Sequence, residues 1–158
     1  MSEKPCGAVQ LEPVDIATIG FTKTTASDFF ERLKKAGVTR VIDVRLHNTS
    51  QLAGFAKAED LAYFLKTICS ADYVHQPLLA PTDDILKAYK RDKGDWAIYE
   101  ASFMKLMENR RIEHKLKPEM FRRACLLCSE DKPHHCHRRL VCDYLNAKWD
   151  SALKVKHL

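Results

Sequence analysis

At 158 residues, with 46% hydrophobic and 30% charged positions, the chain has the composition of one soluble globular domain and not of a disordered segment. A formal charge of +5 is modest, and no apolar run approaches the roughly 20 residues of a membrane span. The opening Met1-Ser2-Glu3-Lys4-Pro5-Cys6 has no apolar signal region, so the chain is expected to be cytoplasmic, and its cysteines to be free thiols, metal ligands or catalytic groups.

Residues 1–13, with Pro5, Gly7 and Pro13, lack periodicity and read as a loose lead-in to one domain over 14–158. Val14 to Ile19 reads as a buried strand stopped by Gly20. Thr24 or Thr25 is the expected N-cap of a helix whose stripe is Phe29, Phe30, Leu33 and Ala36, with Gly37 as its C-terminal stop. Val38 and Val41-Ile42 make a second strand ending in Asp43, Val44 and Arg45, which completes a right-handed β-α-β unit. Leu46 to Phe55 has no period and reads as a working loop.

A helix is expected over residues 57–69, with Leu61, Phe64, Leu65 and Ile68 on one face, and a short third strand over Asp72 to His75. A short helix from Thr82 and a longer one over 96–109, with Tyr99, Phe103, Leu106 and Met107 buried, come next. The pattern then predicts a helix over 115–123, a fourth strand over Ala124 to Cys128, a helix from Pro133 to about Lys148, and a last strand over Leu153 to Leu158. Strands alternating with helices predict an α/β fold: a three-layer sandwich with a mostly parallel sheet of four or five strands.

The stretch Cys125-Leu126-Leu127-Cys128-Ser129-Glu130 through Pro133 to Cys136-His137-Arg138-Arg139 runs from strand to helix, at the sheet edge where open α/β folds bind ligands. Cys136 would lie near a helix N-terminus among His137, Arg138 and Arg139, each of which favours a thiolate, with Cys128 nearby. Glu130 or His137 would then transfer protons. The competing reading is that both cysteines are small buried apolar groups, as Cys69 and Cys142 are taken to be.

Zinc is a third reading, using Cys125, Cys128 and Cys136 with His134, His135 or His137. Against it, Cys125 and Cys128 should point to opposite faces of a strand, no second Cys-x2-Cys pair exists, and adjacent Cys136 and His137 make an awkward ligand pair. No metal and no cofactor are therefore assigned. Asp43 and Arg45 are either a buried structural ion pair or, functionally, Arg45 is an anion clamp and Asp43 a base or ribose acceptor. Tyr73 and His75 end the third strand and reach the same edge, while Gly20 would let a ligand approach the backbone.

Thr18-Ile19-Gly20-Phe21, Val41-Ile42-Asp43-Val44-Arg45, Gly54-Phe55, Asp72-Tyr73-Val74-His75 and the Cys128-x-Glu130-x-x-Pro133-x-x-Cys136-His137-Arg138 run occur in that order. Together they resemble the DUF488 family, small proteins of unknown function, from about Asp15 to Tyr144. The resemblance implies an α/β fold and suggests Asp43, Arg45, Cys128, Glu130, Cys136, His137 and Arg138 as the site. The family commonly has Pro and Ser in the stretch held here by Leu46-His47-Asn48-Thr49-Ser50; the proline is missing, and Ser50 is the matching serine.

The leading expectation is an enzyme or enzyme-like domain acting on an anionic or nucleotide-like ligand. Cys128, Cys136, Glu130, His137 and Asp43 would do the chemistry, and Arg45, Arg138, Gly20, Tyr73 and His75 would bind. The alternatives are a nucleic-acid-binding accessory domain using the basic 110–139 region and a zinc-stabilised structural module. The oligomeric state is left open.

Overall fold

The structure is a computed structural model that describes residues 12–49 and 53–158. Cys6, most of the expected lead-in, and Ser50 lie outside the described residues. Five parallel strands form one sheet in the order β3-β2-β4-β1-β5: β1 Val14–Gly20, β2 Arg40–Asp43, β3 Asp72–His75, β4 Ala124–Cys128 and β5 Leu153–His157. Helix α1 Ala26–Lys35 starts at Thr25, whose hydroxyl accepts from the Asp28 N–H, and it ends before Gly37 at φ +67°. Helices α2 Ala58–Phe64, α3 Asp83–Lys90, α4 Trp96–Arg110, α5 Ile112–Lys115 and α6 His137–Lys148 complete the layers. The expected three-layer α/β sandwich is the observed architecture.

Each face of the sheet has its own apolar core, because side chains alternate along a strand. Ala17, Ile19, Val41, Cys125 and Leu127 pack with Phe29, Phe30, Leu33, Leu61 and Leu65 of α1 and the α2 region. Ile16, Ile42, Leu126 and Cys128 pack with Tyr99, Phe103 and Met107 of α4 and with Leu140, Val141 and Leu145 of α6. Strand β4 is buried along its whole length, as a central strand covered on both faces must be.

The connections after β1 and β2 pass over one face, and those after β3 and β4 over the other. The carboxyl end of β4 is therefore flanked on both sides by strands whose chains leave to the opposite face. That is the geometry of a topological switch point, here doubled. Gly20 pairs with Cys128, and Asp43 pairs with both Leu127 and His75, so the candidate residues from four strands lie in two adjacent rows.

Four local expectations are corrected. The helix predicted over 115–123 is broken into α5 and a 3-10 turn at Pro118–Phe121, because Pro118 holds Lys117 in extended backbone, and Leu116 before it is extended too. The last helix starts at His137, not Pro133, with Cys136 as its N-cap in extended conformation. The α2 helix widens into a π-turn at Leu65–Cys69, and the added residue rotates Ile68 out to 39% exposure. Cys69, expected in the core, is only partly buried, with its thiol directed at the Phe30 carbonyl.

Candidate functional site

Cys128 ends β4, and Cys136 and His137 open α6, so the turn between them folds three side chains onto one point. Their donor atoms lie within 4.8 Å of one another, and the residues are 5%, 2% and 6% exposed. Cys128 Sγ faces His137 Nδ1 at 3.5 Å, while His137 Nε2 lies 2.6 Å from the Val44 carbonyl oxygen. A carbonyl only accepts, so Nε2 carries a proton, and the neutral ring in this tautomer turns its Nδ1 lone pair toward the cysteines. The Cys136 thiol hydrogen-bonded toward Cys128, the Glu130 and Ser129 N–H groups and the nearby Arg138 hold Cys128 below the ordinary thiol value, against its burial. Cys136 is pushed the other way by its Cys128 neighbour and by burial. Cys125 points to the opposite face, as expected, and burial pushes it up; burial raises Cys142 to about 12.

Arg138 is fully buried and spends its donors inside the protein. Nε donates to Thr18 Oγ1 at 3.2 Å, Nη1 to the Glu130 carbonyl and, at 3.7 Å, to Cys136 Sγ, and Nη2 to the Asp131 carbonyl at 3.4 Å. Its place in the fold is to hold the 129–136 turn against the sheet, and among the described residues no carboxylate pairs with it. Gly20 serves the same turn. A Cβ there would lie 1.6 Å from the Glu130 carbonyl oxygen, so it is the protein's own loop that approaches this glycine. Thr22 also holds the turn, its N–H and hydroxyl both donating to the Ser129 carbonyl.

Asp43 and Arg45 form a buried, bidentate ion pair, with Nε and Nη2 of Arg45 at 2.8 and 2.7 Å from the two carboxylate oxygens. Nη2 also donates to the Ala56 carbonyl, and the guanidinium sits 5.2 Å from the Phe21 ring centroid. Tyr73 donates its hydroxyl to Asp43, at 2.6 Å, and receives the Asn48 amide. Burial, with the Asp43 carboxylate beside it, pushes this phenol up to about 12. His75 Nε2 donates to the Arg45 carbonyl at 2.8 Å. Nη1 of Arg45 is buried and has no hydrogen-bond partner among the described residues.

The cysteine–histidine cluster and Arg45 border a cleft of about 430 Å³, within the usual range for small-ligand sites, while Asp43, Tyr73, His75, Gly20 and Arg138 stand behind its lining. Arg45, Cys128, Glu130, Cys136 and His137 line one side; Lys87, Lys90, Arg91 and the aromatic Tyr89, Trp96 and Tyr99 line the other. Lys90 pairs with Glu130 across it. Sequence reasoning missed this second wall. Tyr99 was placed in a core stripe, and Tyr89 and Trp96 carry no local mark. The available signal was Gly94, whose Cβ would lie 2.6 Å from the Ala88 carbonyl oxygen, the mark of a tight turn that folds α3 and α4 together.

Three cations of the basic 110–139 region are engaged within the protein. Arg110 donates to the Leu78 and Ala80 carbonyls, Arg123 to Gly37, and Arg138 is buried. Among the described residues no helix is long and apolar enough to cross a membrane.

A parallel three-layer α/β protein with a cysteine–histidine cluster at the mouth of its central strand is the class that fold and site define. More particularly, the chain belongs to the DUF488 family, a domain of unknown function, whose sequence model matches residues 25–145. No curated protein and no solved structure matches the chain.

Proposed function

We propose that the chain is an enzyme-like domain that binds an anionic ligand of nucleotide class in the cleft, with Cys128, Cys136 and His137 as its reacting centre. The observation that carries this reading is Arg45 Nη1. This donor is buried in a residue lining the cleft and still lacks an acceptor among the described residues, and a ligand oxygen would supply one. Asp43, with Tyr73 behind it, fixes the fork of Arg45, and His75 fixes its backbone. Lys90 and Arg91 add positive charge at the rim, while Tyr89 and Trp96 offer apolar wall for a ring. Glu130, paired with Lys90 across the cleft, is the carboxylate on the side of the cysteine–histidine cluster and would transfer protons there. Arg138 and Gly20, expected as binding residues, act through the turn they hold.

Trp96 reports on occupancy. In a Trp149→Phe background, titration with inorganic phosphate and with adenosine monophosphate should give a saturable change in Trp96 fluorescence. Lys90→Ala and Arg91→Ala should each weaken binding about tenfold or more, as loss of a charge-assisted bond of ~1.5–3 kcal/mol requires. A flat response to both probes, or one that neither variant alters, would sink the assignment.

A further inference from the structure

We propose that Cys128, Cys136 and His137 bind one zinc ion whose fourth coordination position opens into the cleft. Adjacent donors of a tetrahedral zinc, with Zn–S ~2.3 Å and Zn–N ~2.0–2.1 Å, lie about 3.5 Å apart. The Cys128 Sγ to His137 Nδ1 separation is 3.5 Å, and Cys136 Sγ completes a group within 4.8 Å. The objection from adjacency fails in this fold. Cys136 is the extended N-cap and His137 the first helical residue, and the change of backbone conformation between them turns both side chains to the same point.

The surroundings are those of a ligand set. His137 Nε2 donates to the Val44 carbonyl, which fixes the tautomer that leaves Nδ1 free to coordinate and holds the ring plane. Arg138 Nη1 donates to Cys136 Sγ, an outer contact that orients a thiolate. Two thiolates, a neutral imidazole and Zn²⁺ carry no net charge. A hydroxide or anionic ligand in the fourth position then supplies the negative charge that buried Arg138 otherwise lacks. The donors are soft sulfur and nitrogen with no carboxylate among them, which selects zinc over magnesium or calcium.

A closed structural site would need a fourth protein donor, and among the described residues no other cysteine or histidine joins the group. All three members line the cleft, so the vacant position faces the ligand space. Two cysteines, one histidine and an exchangeable fourth ligand make the catalytic kind of zinc site, in which the ion polarises a bound oxygen. This deepens the cleft reading and rests on it only for what meets the fourth position; metal binding itself is measured without any organic ligand.

The full chain, purified without chelator, should contain about one zinc per chain by elemental analysis. After chelator treatment, Co²⁺ should produce sulfur-to-cobalt charge transfer in the near ultraviolet and visible bands of tetrahedral intensity. Cys136→Ser and His137→Gln should weaken Zn²⁺ binding by more than the ~10–100-fold that outer contacts contribute. Cys69→Ser, a thiol outside the group, should bind as the native chain does. Should a substitution unfold the chain, the unsubstituted protein's cobalt spectrum decides alone. Metal-free protein that stays folded and gives no charge-transfer band with Co²⁺ would overturn the zinc site. The Trp96 titration would be untouched by that result, so the two readings fail separately.

Discussion

Replacing Asp43 with alanine is expected to cost about 3–5 kcal/mol of folding stability, a large share of the ~5–15 kcal/mol a domain possesses. The physical reason is asymmetry. Asp43 is fully buried and Arg45 nearly so, so removing the carboxylate leaves a guanidinium in apolar surroundings with only the Ala56 carbonyl to receive its donors. Tyr73 loses its acceptor as well. Urea unfolding would show the loss as a large fall in midpoint. The double substitution Asp43→Leu with Arg45→Met removes both charges and should recover much of it, because paired deletion leaves no stranded ion. If the double variant were as unstable as Asp43→Ala, the ion pair would not be the source of the effect.

The second large effect is expected at a residue with no side chain. Gly20→Ala places a Cβ 1.6 Å from the Glu130 carbonyl oxygen and 2.4 Å from its carbon. These atoms are backbone, so the 129–136 turn itself must move, and Arg138 then loses the acceptor that fills its Nη1. A destabilisation of about 3 kcal/mol, the upper part of the overpacking range, is expected in urea unfolding. Gly54→Ala is the matched control: nothing lies within 4 Å of its Cβ position, and its stability should stay within about 0.5 kcal/mol of the native chain. Equal unfolding midpoints for Gly20→Ala and Gly54→Ala would refute the close approach.

Strands β1 and β4 were legible as short, mostly apolar runs, and β1 and β3 also by the stops that follow them. Val14–Gly20 ends on glycine, and Asp72–His75 ends before Gln76-Pro77. The 115–123 segment misled because its apolar spacing suits a helix while Pro118 forbids continuity through it. At the site, the parity of Cys125 and Cys128 along β4 was readable, since two positions three apart in a strand must diverge. The convergence of Cys136 with His137 was not, because it depends on where helix α6 begins, and Pro133 suggested a start four residues too early. Arg138 looked like a ligand-binding cation because charge implies exposure; only tertiary packing reveals that its partners are Thr18 and the carbonyls of its own loop. The Lys90 and Trp96 wall depends on how α3 and α4 fold over the sheet edge, which no local pattern specifies.

The sheet order has a bearing on how the molecule is made. Strand β4 lies between β1 and β2, yet it follows both by many residues in the chain, so neither early strand can complete its hydrogen bonding with the other. During synthesis, β1 and β2 each keep an open edge until residues 124–128 emerge and wedge between them. Contacts so distant in sequence form slowly, and open edges are where one chain pairs with another. The strand that carries Cys128 to the cleft is thus also the keystone of assembly: until it emerges β1 and β2 stay unjoined, and Cys136 and His137, just behind it in the chain, have no Cys128 to meet.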